Sequence, residues 1–165
     1  MKQMRRNING IKVKLFLDID GVMVHANPYK SVEFENDGFY KFNNDAISAL
    51  NSINSSEIEI ILSTSHRHRF TITKWKEIFK NRGISFNKIS RVRTNISTFQ
   101  SRKSEIENWI HIKKLKPEEI IIIDDDKSLN GLSSDYKKRL ILTNSYTGLK
   151  DATEINNVLS IKRRT

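Results

Sequence analysis

Four consecutive isoleucines, Ile120 to Ile123, run straight into three aspartates, Asp124-Asp125-Asp126. A strand that is apolar at every position has no side to turn toward water, so it must be covered on both faces. Two further runs are mostly apolar. Ile11 to Leu17 ends in Asp18-Ile19-Asp20-Gly21, and Ile58 to Leu62 ends in Ser63-Thr64-Ser65-His66-Arg67. Weaker strands are expected over Ile84 to Val92 and Leu140 to Thr143. Between these runs lie stretches with helical spacing. Asp45 to Ile53 can be capped by Asn43 or Asn44. Phe70 to Asn81 puts Ile72, Trp75, Ile78 and Phe79 on one face and ends at Gly83. Ser101 starts a helix through Ile106, Trp109, Ile110 and Leu115 that stops at Pro117, and Leu149 to Ile161 closes the chain. Lys162-Arg163-Arg164 would then complement the last helix terminus. Apolar strands alternating with helices predict an α/β fold, a Rossmann-like three-layer sandwich with a mostly parallel central sheet.

Sheets of this kind bind ligands beyond the carboxyl ends of their strands. Chemistry should therefore collect where the apolar runs stop, and it does so three times: at Asp18 and Asp20, at Ser63 to Arg67, and at Asp124 to Asp126. Asp18 and Asp20 fall on one side of the chain if it stays extended through both. Two carboxylates so close repel each other, and a cation between them relieves the repulsion. A hard divalent ion with oxygen ligands, Mg2+, suits the pair. Gly21 allows a sharp turn directly behind the acids.

Residues 22–44 show no long helical pattern. Val32 to Glu35 and Phe39 to Phe42 flank Asn36-Asp37-Gly38, which predicts a β-hairpin beside the acids, a flap or minimal cap. With 165 residues the chain is expected to form one domain over 1–165, with residues 1–10 a basic lead-in. No apolar run is long enough to span a membrane, and the N-terminus lacks the apolar core of a secretory signal, so the expected location is cytoplasmic. The absence of cysteine excludes disulfides, zinc–thiolate sites and thiol chemistry. A net charge of +10 attracts polyanions. A bias toward Lys, Asn and Ile of the kind an AT-rich genome produces would yield the same charge without nucleic acid.

Asp18-Ile19-Asp20-Gly21-Val22 resembles the first motif of the haloacid dehalogenase (HAD) superfamily of phosphatases and phosphotransferases. The resemblance narrows further along the chain. Ile61 to Arg67 is similar to an LSSSWR-like second motif, with His66 where Trp is usual. Arg102, Glu105, Ile106, Trp109 and Ile110 are similar to an R..EI..WL helix. Ile122 to Asp126, with Thr143-Asn144 and Thr147-Gly148-Leu149, is similar to an IDDD…T(D/N)…TGL tail. Together they resemble the small HAD domains of bacterial Swiss-army-knife RNA-repair proteins, over about Leu15 to Leu159.

The resemblance implies roles. Asp18 would be the nucleophile that forms an aspartyl-phosphate, and Asp20 the acid/base. Mg2+ would sit on Asp18, the Asp20 backbone carbonyl and Asp124, with Asp125 in the same acidic motif. Thr64 would hold a phosphoryl oxygen, with Ser63 and Ser65 as alternatives in register. Arg102 would pair with the nucleophile and phosphate, with Lys103 as alternative. Ser65, Arg67 and Lys103 are candidate substrate contacts. The implied activity is a Mg2+-dependent phosphomonoesterase. An uncapped site admits bulky phosphorylated substrates, so nucleic-acid ends and nucleotides stand beside small metabolites, phosphoproteins and a non-catalytic binding role.

Overall fold

The computed structural model describes residues 13–53, 57–93 and 101–160. The lead-in at 1–10, the start of the first apolar run at Ile11 and the terminal Lys162-Arg163-Arg164 lie outside the described residues. Five parallel strands form one sheet in the order β3-β2-β1-β4-β5. They are β1 (Val13–Leu17), β2 (Ile58–Leu62), β3 (Lys88–Arg91), β4 (Ile120–Asp124) and β5 (Leu140–Leu142). The helices are α1 (Asn44–Asn51), α2 (Ile72–Asn81), α3 (Arg102–Lys113), the short α4 (Ser134–Lys137) and α5 (Thr153–Leu159). The fold is the α/β Rossmann-like arrangement that the alternation of apolar strands and helices predicts.

The sheet separates two apolar layers. Leu15, Leu17, Ile60, Leu62, Ile121 and Ile123 face one core together with Trp75, Ile78 and Phe79 of α2. Phe16, Ile61, Ile120 and Ile122 face the other, with Ile106 and Ile110 of α3. Every residue of β4 is buried, so both faces of the isoleucine run are covered, as its composition requires. Burying one such side chain stabilises the fold by roughly 1.5–3 kcal/mol.

Register brings the strand ends level. Leu17 is paired with Leu62 on one side and Ile123 on the other, so Asp18, Ser63 and Asp124 emerge side by side. The Asp18 N–H donates to the Ile123 carbonyl at 3.1 Å, and the Ser63 N–H to the Leu17 carbonyl at 3.1 Å.

Three local features differ from expectation, each for a tertiary reason. The chain does double back at Asn36-Asp37-Gly38, with Gly38 at φ +87°, but a single bridge, Phe34 to Tyr40, replaces two regular strands. Phe39 is drawn wholly into the core among Tyr40, Phe42, Phe70 and Trp75, which competes with a flat ladder. The closing helix begins at Thr153, because Gly148 and Leu149 are docked against Val22: the Leu149 N–H donates to the Val22 carbonyl at 2.9 Å. A Cβ on Gly148 would lie 2.6 Å from that carbonyl oxygen, so only glycine fits. Asn43 takes the N-cap position of α1 without a side-chain cap bond.

Candidate active site

The site is built on the strand ends. Asp18 leaves β1 buried, 4% exposed, and Asp124 closes β4 fully buried. Oxygens of Asp18, Asp124 and Asp125 lie within 4.8 Å of one another. Arg102, the first residue of α3, reaches into this group. Its Nη1 is 2.7 Å from Asp124 Oδ2 and 3.4 Å from Asp18 Oδ1. The helix starts at that point because the Ser101 side chain accepts the Ser104 N–H. The turn after β4 docks the same helix end, since the Lys103 N–H donates to Ser128 Oγ at 3.2 Å. Lys103 itself turns away to Glu107, at 3.2 Å. Of the two basic residues that the sequence left open, Arg102 is the one at the carboxylates.

Electrostatics follow from burial. The Asp124 carboxyl is pushed up to about 8, first by burial and then by the Asp18 charge, with Arg102 pulling the other way. Burial also raises Asp125, which a hydrogen bond from Ser145 partly offsets. For Arg102, burial opposes the charge, but Asp124 and Asp18 more than compensate and hold it firmly protonated. Three crowded carboxyl groups against one guanidinium cannot all ionise in so buried a place without further positive charge. A compact divalent cation with a preference for carboxylate oxygen fits this donor set. The buried oxygens of Asp18, Asp124 and Asp125 are the groups that could hold it.

Asp20 parts from Asp18. The chain turns at Gly21, where the Val22 and Met23 N–H groups both donate to the Ile19 carbonyl. The Asp20 carboxylate instead meets His66, with Oδ2 2.7 Å from His66 Nε2. Asp18 thus faces β4 and α3, while Asp20 faces the loop after β2. Gly21 is required for a second reason: a Cβ there would lie 2.1 Å from Asp125 Oδ2. The Gly21 carbonyl in turn accepts from Thr143 Oγ1 at 2.6 Å. The segment after β5 thereby braces the acidic loop.

The Ser/Thr cluster divides into distinct environments. Thr64 is fully buried, and its Oγ1 accepts the His66 N–H at 3.2 Å. Ser65 is exposed in the turn. Ser63 Oγ is fully buried and, among the described residues, is a side-chain oxygen with no hydrogen-bond partner. Such an atom is costly unless a ligand completes it. Arg67, a candidate substrate contact, is not brought to the carboxylates. It is buried, with Nε donating to the Val92 carbonyl at 2.9 Å and Nη1 to the Thr64 carbonyl at 3.0 Å. Its Nη2 lies 3.3 Å from Glu105 Oε2, which also lies 3.9 Å from Arg102 Nε. Glu105 therefore links the two arginines, a role with no separate sequence signal, because an acid in the first turn of a helix is ordinary. Asp126 caps the turn after β4, accepting the Ser128 N–H, and donates its own N–H to Asp124 Oδ1 at 3.0 Å.

A Rossmann-like sheet whose carboxyl edge gathers three carboxylates and an arginine defines an α/β domain of the HAD type. The family model described as the HAD domain in Swiss Army Knife RNA repair proteins matches residues 14–153, and the chain belongs to that family. No curated protein matches the chain. The superfamily is one of phosphatase-type hydrolases. Among the described residues, no helix is long and apolar enough to cross a membrane.

Proposed function

We propose that the chain is a Mg2+-dependent phosphomonoesterase that works through an aspartyl-phosphate on Asp18, with phosphorylated nucleic-acid ends or nucleotides as substrates. The observation that carries this reading is the buried cluster of Asp18, Asp124 and Asp125 held against Arg102, with a second carboxylate, Asp20, across the same loop.

Arg102 pairs with Asp18 at 3.4 Å and offers its guanidinium to a phosphoryl oxygen. An Asp18 oxygen attacks phosphorus, the bond from phosphorus to the leaving alcohol breaks, and Asp20 gives that alcohol its proton. Asp20, now ionised, takes a proton from water. The water oxygen attacks phosphorus, the bond to Asp18 breaks, and inorganic phosphate leaves. Ser63 Oγ, lacking a partner, is the hydroxyl best placed by its environment to donate to a phosphoryl oxygen. Asp18, Asp124 and Asp125, with the Asp20 backbone carbonyl, would hold the Mg2+, which neutralises phosphoryl charge so that one anion can attack another.

Support for a polyanionic substrate comes from the net charge of +10. The test is phosphate release with and without Mg2+ from an aryl phosphate, mononucleotides, and oligonucleotides phosphorylated at the 3′ or 5′ end. Mg2+-dependent release, fastest from an oligonucleotide end, is expected. Release from small esters alone would turn the reading toward a metabolite phosphatase. Mg2+ binding without turnover on any substrate would favour a binding module.

A further inference from the structure

We infer that His66 is a positioning residue for Asp20, fixing the acid/base by anchoring it to the flap; the inference rests on the phosphatase reading above. The Asp20 side chain is 42% exposed. A carboxylate that open samples several rotamers, whereas a general acid works only within hydrogen-bond reach of the leaving oxygen. His66 Nε2, 2.7 Å from Oδ2, removes that freedom and leaves Oδ1 to carry the proton. His66 is itself held from two directions. Its N–H is on Thr64 Oγ1, and its ring meets Phe39 and Tyr40 edge-on at 5.6 and 5.5 Å. Phe39 is fully buried against Phe70 and Trp75, so the flap side of this contact is rigid. An apolar ring of the same size would satisfy these ring contacts equally well. Only the bond to Asp20 needs an imidazole.

A structural staple and a positioning residue differ in what they do to different leaving groups. Nitrophenolate departs without a proton, whereas an alkoxide needs one. His66→Phe, His66→Asn and His66→Gln are compared with the original chain on p-nitrophenyl phosphate and on an alkyl phosphate at saturating Mg2+, with melting midpoints taken alongside. Phe removes the donor and Asn is too short to reach Asp20. Both should lower kcat/KM on the alkyl ester by about 10- to 100-fold, up to the lower end of general acid catalysis, since Asp20 itself remains. On the aryl ester kcat/KM, which reports only the steps through the first phosphoryl transfer, should stay within about threefold, although kcat there falls wherever water attack limits turnover, because Asp20 is also the base of that step. Gln, which can donate from a similar distance, should recover most of the loss. Equal losses of kcat/KM on both esters, or no loss on the alkyl ester, would overturn the role of His66 while leaving the phosphatase reading standing. Failure of the original chain to release phosphate from either ester, with Asp18→Asn indistinguishable from it, overturns the phosphatase reading and this role with it.

Discussion

Asp18 lies in a place that water barely reaches, 4% exposed. Arg102 is 3.4 Å away, and the strand register leaves the carboxylate no other position. Asn is nearly isosteric with Asp but cannot form an acyl phosphate. Asp18→Asn should therefore cost at least about a thousandfold in phosphate release, the scale of losing a catalytic nucleophile, with an unchanged circular dichroism spectrum. Gly21 makes a different point. Its φ of +81° and the 2.1 Å approach of Asp125 Oδ2 forbid a side chain twice over. Gly21→Ala should destabilise the fold by about 1–2 kcal/mol through the left-handed backbone alone. It should also weaken Mg2+ binding by displacing Asp125. Chemical denaturation and a metal titration would report the two effects separately.

At the scale of elements, the flap is held by its tip. Asp37 accepts from Arg82 Nη2 at 3.0 Å and pairs with Nη1, and Arg82 also donates to the Tyr40 and Ile78 carbonyls. The Arg82 hydrogen bond holds the Asp37 carboxyl well below its ordinary value of 3.8, even against burial. The folded state therefore binds fewer protons than the unfolded state on acidification. The pair's contribution is complete above the ordinary carboxylate range and is lost progressively as pH falls from there toward the lowered folded-state value. Asp37→Asn should cost about 3 kcal/mol at neutral pH, the lower end for breaking a buried ion pair, since Arg82 keeps its carbonyl partners. The gap in melting midpoint between the original chain and the variant should narrow from about pH 5 downward. A gap independent of pH would show that the charge of Asp37 does not matter.

Across the whole molecule, metal and charge act over longer range. A cation bound only by the folded carboxylate cluster stabilises it by mass action, by about 2.7 kcal/mol at a hundredfold excess over its Kd. Mg2+ should raise the melting midpoint, and Asp124→Asn should remove most of that rise in a thermal shift measurement. The charge of +10 should show itself in salt dependence. KM for a phosphorylated oligonucleotide should climb steeply between low and moderate salt, while KM for a small aryl phosphate should change little. Parallel behaviour of the two substrates would make the charge a matter of composition.

Much of this was legible in the chain. An isoleucine run with no polar side dictates a strand buried on both faces, and strand–helix alternation dictates a parallel sheet with its chemistry at one edge. Asp18 and Asp124 could be picked out because their signal is local, an apolar run that stops at an acid; Arg102 is singled out only by the family resemblance, with Lys103 beside it as an alternative. Contacts between distant segments were not legible. That Asp20 meets His66, that Glu105 joins Arg67 to Arg102, that Ser63 and not Thr64 is left without a partner, and that Gly148 docks on Val22 all depend on how loops far apart in sequence converge. Arg67 shows the limit clearly. A basic residue beside a phosphate-type motif suggests a ligand contact, but the fold buries it among carbonyls. Burial periodicity is encoded residue by residue and fixes which face each element hides. The partner of a polar group is decided only when the sheet brings its strand ends level.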